Sequence, residues 1–194
     1  MAQELNGKKV AIIATDGVEQ AELTEPRKAV EAAGATTELL SLDSGEIQAM
    51  NADINPADTF TVDKKVSDAS PEDYDGLLLP GGTVNADRLR ADENVVRFVQ
   101  GYFQSGKPAG VICHGPWTLV EGDLVRDRTL TSYPSLQTDI RNAGGTWVNQ
   151  EVVVDEGLVT SRNPDDLPAF CAKVVEEFCE GKHAVASAGA TANA

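Results

Sequence analysis

The chain has 194 residues, 41% hydrophobic and 24% charged, with 16 Lys and Arg against 31 Asp and Glu for a net charge of −15. That composition fits one globular domain with an ample core, and the acidic balance argues against phosphate backbones and anionic lipid as partners. No stretch approaches the roughly 20 apolar residues of a membrane span, and the N-terminal MAQELNGKK lacks the apolar centre of a signal peptide.

Lys9 to Ala14 (KVAIIA) is short, apolar and β-branched, which predicts a strand buried on both faces. A turn over Thr15 to Gln20 leads into a helix ending at Gly34. Pro26 is expected to kink that helix or to mark a second start capped by Thr24. Thr36 to Leu42 is the next strand. Gly45 to Met50 and Thr59 to Val66 predict marginal edge strands around an Asn-Pro turn. Asp75 to Leu79 (DGLLL) is a buried strand that breaks at Pro80-Gly81-Gly82, and Asn94 to Phe103 has helical spacing.

Ala109 to Ile112 predicts a strand, followed after Pro116 by a helix to Val125. Leu130 to Ser132 is a short strand, Ser135 to Ala143 a helix, and Trp147 to Val154 and Leu158 to Ser161 a strand pair around Asp155-Glu156-Gly157. Leu167 to Glu180 is the last helix, with Cys171 on its apolar face beside Phe170, Val174 and Phe178. The small-residue tail, 184–194, is expected to be disordered. Residues 1–7 read as an extension and 8–183 as one α/β domain. Buried strands alternating with helices imply a mainly parallel sheet in a three-layer sandwich.

The segment PAGVICHGPW, Pro108 to Trp117, carries the chemistry. A strand that breaks at Cys113-His114-Gly115 and restarts as a helix is a nucleophile elbow, which lifts the sulfur into a cleft. A helix N-terminus and an imidazolium beside it would favour thiolate. The simpler alternative for Cys113 is a buried apolar filler. In such sheets the crevice lies beyond the strand C-termini, which gathers three loops: Thr15–Gln20 with Glu19, Pro80–Ala86 with Gly81 and Gly82, and Cys113–Pro116. Glu19 could hold the sulfur or move protons, and Gly81, Gly82 and Gly115 could present backbone N–H groups to an oxyanion. His114 needs an acid to fix its tautomer, and Asp87, Asp92 and Glu121 are all available. One Cys-His pair does not make a zinc site, so neither a metal nor another cofactor is expected. Three cysteines do not form a disulfide framework, and Cys171 and Cys179 lie about two helical turns apart, which suits a reducing cytoplasm.

The ordered set KKVAIIATDGVEQAELTEP, YDGLLLPGG, KPAGVICHGPW, LTSYPSLQTDIRNAGGTWVN and LVTSRNPDDLPAF resembles the PfpI-type members of the ThiJ/PfpI superfamily, over Lys8 to Phe178. The resemblance implies a flavodoxin-like sandwich related to class I glutamine amidotransferases. By position it assigns Cys113 as nucleophile, His114 as its neighbour and Glu19 as the acid that holds the sulfur. It also implies a homo-oligomer, a dimer or larger, in which Asp87 of a neighbouring subunit completes a triad. Asp87 stands where some members have Glu, with a spacing one residue different. The activity implied is that of a stress-related hydrolase of glyoxalase or deglycase type, acting on small carbonyl compounds through a Cys113 thiolate. The alternatives are an intracellular cysteine peptidase and a redox sensor operating through oxidation of Cys113.

Overall fold

The structure is a computed structural model and describes residues 4–182. The expected tail and the outer part of the N-terminal extension fall outside that range. The elements are β1 (Lys9–Ile13), β2 (Val18–Glu19), α1 (Gln20–Ala32), β3 (Thr36–Ser41), β4 (Glu46–Asn51), β5 (Asn55–Thr61), β6 (Lys64–Lys65), β7 (Gly76–Leu79), α2 (Thr83–Ala91), α3 (Glu93–Gln104) and β8 (Ala109–Ile112). The chain continues through α4 (Pro116–Glu121), β9 (Thr129–Leu130), α5 (Gln137–Asn142), β10 (Thr146–Trp147), β11 (Val152–Asp155), β12 (Leu158–Ser161) and α6 (Leu167–Glu180).

The central sheet has seven strands in the order β11-β12-β8-β7-β1-β3-β6, parallel throughout except for β11. Because strand side chains alternate, β1 feeds both layers. Val10 and Ile12 pack with Leu23, Val30, Phe170, Val174 and Phe178 of α1 and α6. Ala11 and Ile13 pack on the other face with Leu89, Phe98, Val99, Tyr102 and Leu119 of α2, α3 and α4. This is the expected α/β sandwich. Leu5, in the stretch read as an extension, is fully buried in the first of these layers. No helix among the described residues is long and apolar enough to cross a membrane.

Four local expectations change. Pro26 neither kinks nor restarts α1, which runs unbroken from Gln20 to Ala32 with Pro26 buried. Residues 83–91, read in part as loop, form α2 directly after Gly82. The apolar run from Trp147 to Val154 divides into β10 and β11, which belong to different sheets. The polar segment between β3 and β7 folds into a hairpin, β4–β5, which joins β2 in a separate three-stranded sheet. Its turn lies at Ala52–Asp53, both at positive φ (53° and 64°), while Asn55-Pro56 already belongs to β5. That hairpin tip reaches the site.

Candidate active site

Cys113 follows β8 at the strand-to-helix corner with φ 61°, a left-handed conformation that costs a non-glycine residue energy and marks the elbow. The corner is held from both sides: Cys113 N–H donates to Ser161 O (3.0 Å) and Cys113 O accepts from Tyr133 N–H (2.8 Å). Three side chains crowd there, all nearly closed to solvent: Cys113 (6% exposed), His114 (5%) and Glu22 (2%).

Glu22, not Glu19, is the acid at the sulfur. Its Oε2 accepts the Gly81 N–H at 2.8 Å, its Oε1 meets no oxygen or nitrogen partner among the described residues, and the carboxyl interacts with the Cys113 thiol. Burial pushes the Glu22 pKa up to about 8, with Glu19 and Asp53 adding to the rise, so the group is mostly protonated at neutral pH. Glu19 instead ties down the hairpin: its Oε1 and Oε2 accept from Ala52 N–H and Asp53 N–H, both at 3.2 Å. The sequence held a signal for Glu22. It lies on the α1 stripe with Leu23, Pro26 and Val30, and an acid on a buried stripe requires a reason.

The glycines divide by role. Gly82 N–H and His114 N–H aim at the sulfur, whereas Gly81 N–H is taken by Glu22 and Gly115 N–H by Ile112 O at 2.9 Å. Gly82, at φ 87°, turns the chain into α2. The buried amide of Asn85 locks this loop, donating to Pro80 O (3.1 Å) and Gly81 O (2.9 Å) and accepting from Thr15 N–H (2.7 Å).

The expected electrostatic activation of the thiol takes a different form. Burial, then the Glu22 carboxyl, push the Cys113 thiol up, and the two N–H groups pull it down. α4 has only six residues, so its macrodipole is a small contributor. Burial also lowers the His114 pKa, partly offset by Asp53, which leaves a neutral imidazole rather than an imidazolium beside the sulfur. Its Nδ1 lies 3.2 Å from Cys113 Sγ, and its ring stacks on Tyr133 with centroids 4.6 Å apart.

His114 Nε2 faces two hydroxyls, Thr83 Oγ1 at 3.5 Å and Ser135 Oγ at 3.4 Å. Behind Thr83 stands Asp53, which accepts from Thr83 N–H (2.8 Å) and Thr83 Oγ1 (3.0 Å). None of the three acids considered from sequence touches His114 within this chain. Asp92 caps α3, Glu121 pairs with Arg90 at 2.9 Å, and Asp87 is exposed on α2, where it lines a cavity of about 540 Å³ with Arg90, Val96 and Arg97. Nothing in the sequence around Asp53 marked it, because its place depends on the hairpin turn. Among the described residues no group of three or more His, Cys, Asp or Glu could hold a metal ion.

Comparison with known proteins agrees with this fold. Residues 8–177 match the DJ-1/PfpI family. The chain belongs to the DJ-1/PfpI family. It is 41% identical over 164 residues to Protein/nucleic acid deglycase 2 of Escherichia coli (strain K12), covering 84% of this chain and 93% of that one. It is 40% identical over 165 residues to General stress protein 18 of Bacillus subtilis (strain 168), covering 84% and 94%. The crystal structure of Drosophila melanogaster DJ-1beta superposes with a TM-score of 0.80 at 23% identity, over 92% of this chain and 91% of that one, a likeness of fold. This DJ-1/PfpI protein therefore has relatives named for a hydrolase-type activity and for stress.

Proposed function

We propose that this DJ-1/PfpI protein is a stress-related enzyme that acts on small carbonyl compounds, in the manner of a glyoxalase or deglycase, with Cys113 as nucleophile. The observation that carries the reading is the enclosure of the thiol beside a mostly protonated Glu22, each under a tenth exposed. A recess that closed suits a small electrophile better than an extended peptide. The name of the Escherichia coli relative supports the deglycase part of the reading, with protein and nucleic acid as what that relative acts on.

The chemistry needs few groups. Sγ bonds to the carbonyl carbon, the π pair moves to oxygen, and the thiol proton passes to His114 Nδ1. The new oxygen takes a proton, giving a hemithioacetal. Glu22, with a pKa of about 8, is matched to neutral pH and can carry a proton between that carbon and a neighbouring carbonyl oxygen. Gly82 and His114 N–H groups favour negative charge on the sulfur as it forms. A proton delivered to the adjacent carbon, as the hemithioacetal hydroxyl gives up its own, leaves a thioester. Water's OH then bonds to the thioester carbon, the C–S bond breaks, and water's remaining proton goes to the sulfur, giving a 2-hydroxy acid and the free thiol.

A homo-oligomer is part of the reading. Ile54, Val84 and Tyr133 are three of the four large apolar side chains exposed among the described residues, and they adjoin Asp53, Thr83 and His114 respectively. A second copy covering that rim could also bring its Asp87 near. The three cysteines are unpaired in the structure, in keeping with a cytoplasmic protein.

The test is steady-state turnover of methylglyoxal, with a peptide library assayed in parallel and Cys113→Ser as control. Cys113-dependent loss of methylglyoxal is expected. Peptide cleavage without carbonyl turnover would replace the reading with a peptidase.

A further inference from the structure

Asp53, an acid of the same chain, stands behind the Thr83 hydroxyl that faces His114. Asp53 sits at the tip of the β4–β5 hairpin at φ 64°, and Glu19 holds its N–H and that of Ala52. Both Asp53 carboxylate oxygens face Thr83, one on its N–H and one on its hydroxyl. Thr83 is the first residue of α2, directly after the glycine whose N–H faces the sulfur.

A hydroxyl has one proton to give. Thr83 gives it to Asp53 Oδ2, so toward His114 Nε2 its oxygen can only accept. With that proton engaged, the Thr83 contact is a hydrogen bond only when Nε2 carries the imidazole proton, and that tautomer leaves the Nδ1 lone pair directed at Cys113 Sγ. Ser135 makes no other hydrogen bond with its hydroxyl among the described residues and can accept from the same Nε2–H.

We propose that Asp53 and Thr83 are positioning residues that set the Nε2–H tautomer of His114 within one subunit, and so make Nδ1 the acceptor of the Cys113 thiol proton. In that step the S–H bond breaks, the proton bonds to Nδ1, and the pair left behind is thiolate and imidazolium, with the charge of Asp53 facing the cation through Thr83. The 3.5 Å contact between Thr83 Oγ1 and Nε2 is long for a hydrogen bond, as such contacts often are before substrate binds, and shortens once the imidazolium forms. The proposal deepens the reading of Cys113 as nucleophile and rests on it, but requires no particular substrate.

The experiment is ¹⁵N NMR of imidazole-labelled protein at pH 7, together with the rate at which iodoacetamide alkylates Cys113. The chain has only two histidines, and His183→Gln assigns the remaining signals to His114. The wild type should show Nε2 protonated. Asp53→Asn puts an amide N–H donor against Thr83 Oγ1, turns its hydroxyl toward His114, and should move the proton to Nδ1 while slowing alkylation at least about tenfold. Thr83→Ser should behave as wild type and Thr83→Val should lose both the tautomer preference and the rate. A wild-type His114 protonated on Nδ1 would overturn the proposal without any variant. So would a folded Asp53→Asn protein with tautomer and rate unchanged, or a switch of tautomer caused by Asp87→Asn. Failure of methylglyoxal turnover with the Nε2–H tautomer intact would refute the substrate and leave the relay standing.

Discussion

Glu22 and Cys113 meet beneath Gly81, whose N–H holds one carboxyl oxygen of Glu22 and whose Cα leaves the space in which acid and thiol face each other. A Cβ built on Gly81 would lie 2.6 Å from Glu22 Oε2, 2.7 Å from Cys113 Cβ and 2.8 Å from His114 N. Two of those neighbours are fixed by the elbow. Gly81→Ala should therefore destabilise the protein by about 1–3 kcal/mol, as overpacking does, and should lower turnover more than that loss explains. Urea denaturation beside steady-state kinetics separates the two effects. An alanine variant with wild-type stability and turnover would show that the loop has room to yield.

The division of labour between Glu22 and Glu19 gives a second expectation. Glu22→Gln removes the proton carrier while keeping an oxygen for Gly81 N–H, and turnover should fall by about 10²-fold or more. Glu19→Gln keeps an acceptor for one of the two hairpin amides and turns its NH2 toward the other, loosening the hairpin without touching the sulfur, and should cost less than about tenfold. The reverse order would return the acid's role to Glu19.

These two acids show what was legible in the chain. The strand-turn-helix reading around Cys113 depends on local signals, an apolar run and Gly-Pro punctuation, and its elbow is present at φ 61°. The alternation of buried strands and helices likewise fixes a mainly parallel sheet from short-range pattern alone. Choosing between Glu19 and Glu22 needed the residue at which extended chain gives way to helix: Glu19 ends β2, and Glu22 lies in the first turn of α1. Asp53 needed more: its position depends on a positive-φ turn at Ala52–Asp53 and on a sheet formed apart from the central one, and no sequence period encodes either.

The raised Glu22 pKa has a signed consequence for stability. The folded protein binds the Glu22 proton more tightly than the unfolded chain does, with a pKa of about 8 against an ordinary 4.5. The stabilisation is complete below the unfolded value and is lost as pH rises through the folded one. Over that window the slope attributable to Glu22 is at most about 1.4 kcal/mol per pH unit. Denaturation midpoints of wild type and Glu22→Gln should diverge in pH dependence between pH 5 and 8.5 (roughly the span between the two values), with only the wild type weakening through this group. Parallel curves would mean that Glu22 ionises normally in the fold.

The three thiols should sort by reagent size. Among the described residues, Cys113 is the one cysteine with N–H groups aimed at its sulfur and a basic nitrogen 3.2 Å away to take its proton, but it is 6% exposed. Burial raises all three thiols, Cys113 further than Cys171, which Glu25 helps push up to about 11, while Glu4 adds to the rise at Cys179. But Cys171 and Cys179 are only partly buried and have no proton acceptor like His114 among their described partners. Hydrogen peroxide, small enough for the recess, should oxidise Cys113 first, and a sulfinate formed there would accept a hydrogen bond from protonated Glu22. A bulky maleimide should instead reach Cys171 or Cys179 before Cys113. Peptide mass spectrometry after graded doses of each reagent reads the order directly. Equal peroxide rates at all three sites would remove the case for an activated thiol at the elbow, and with it the support for both the enzyme and the redox-sensor readings.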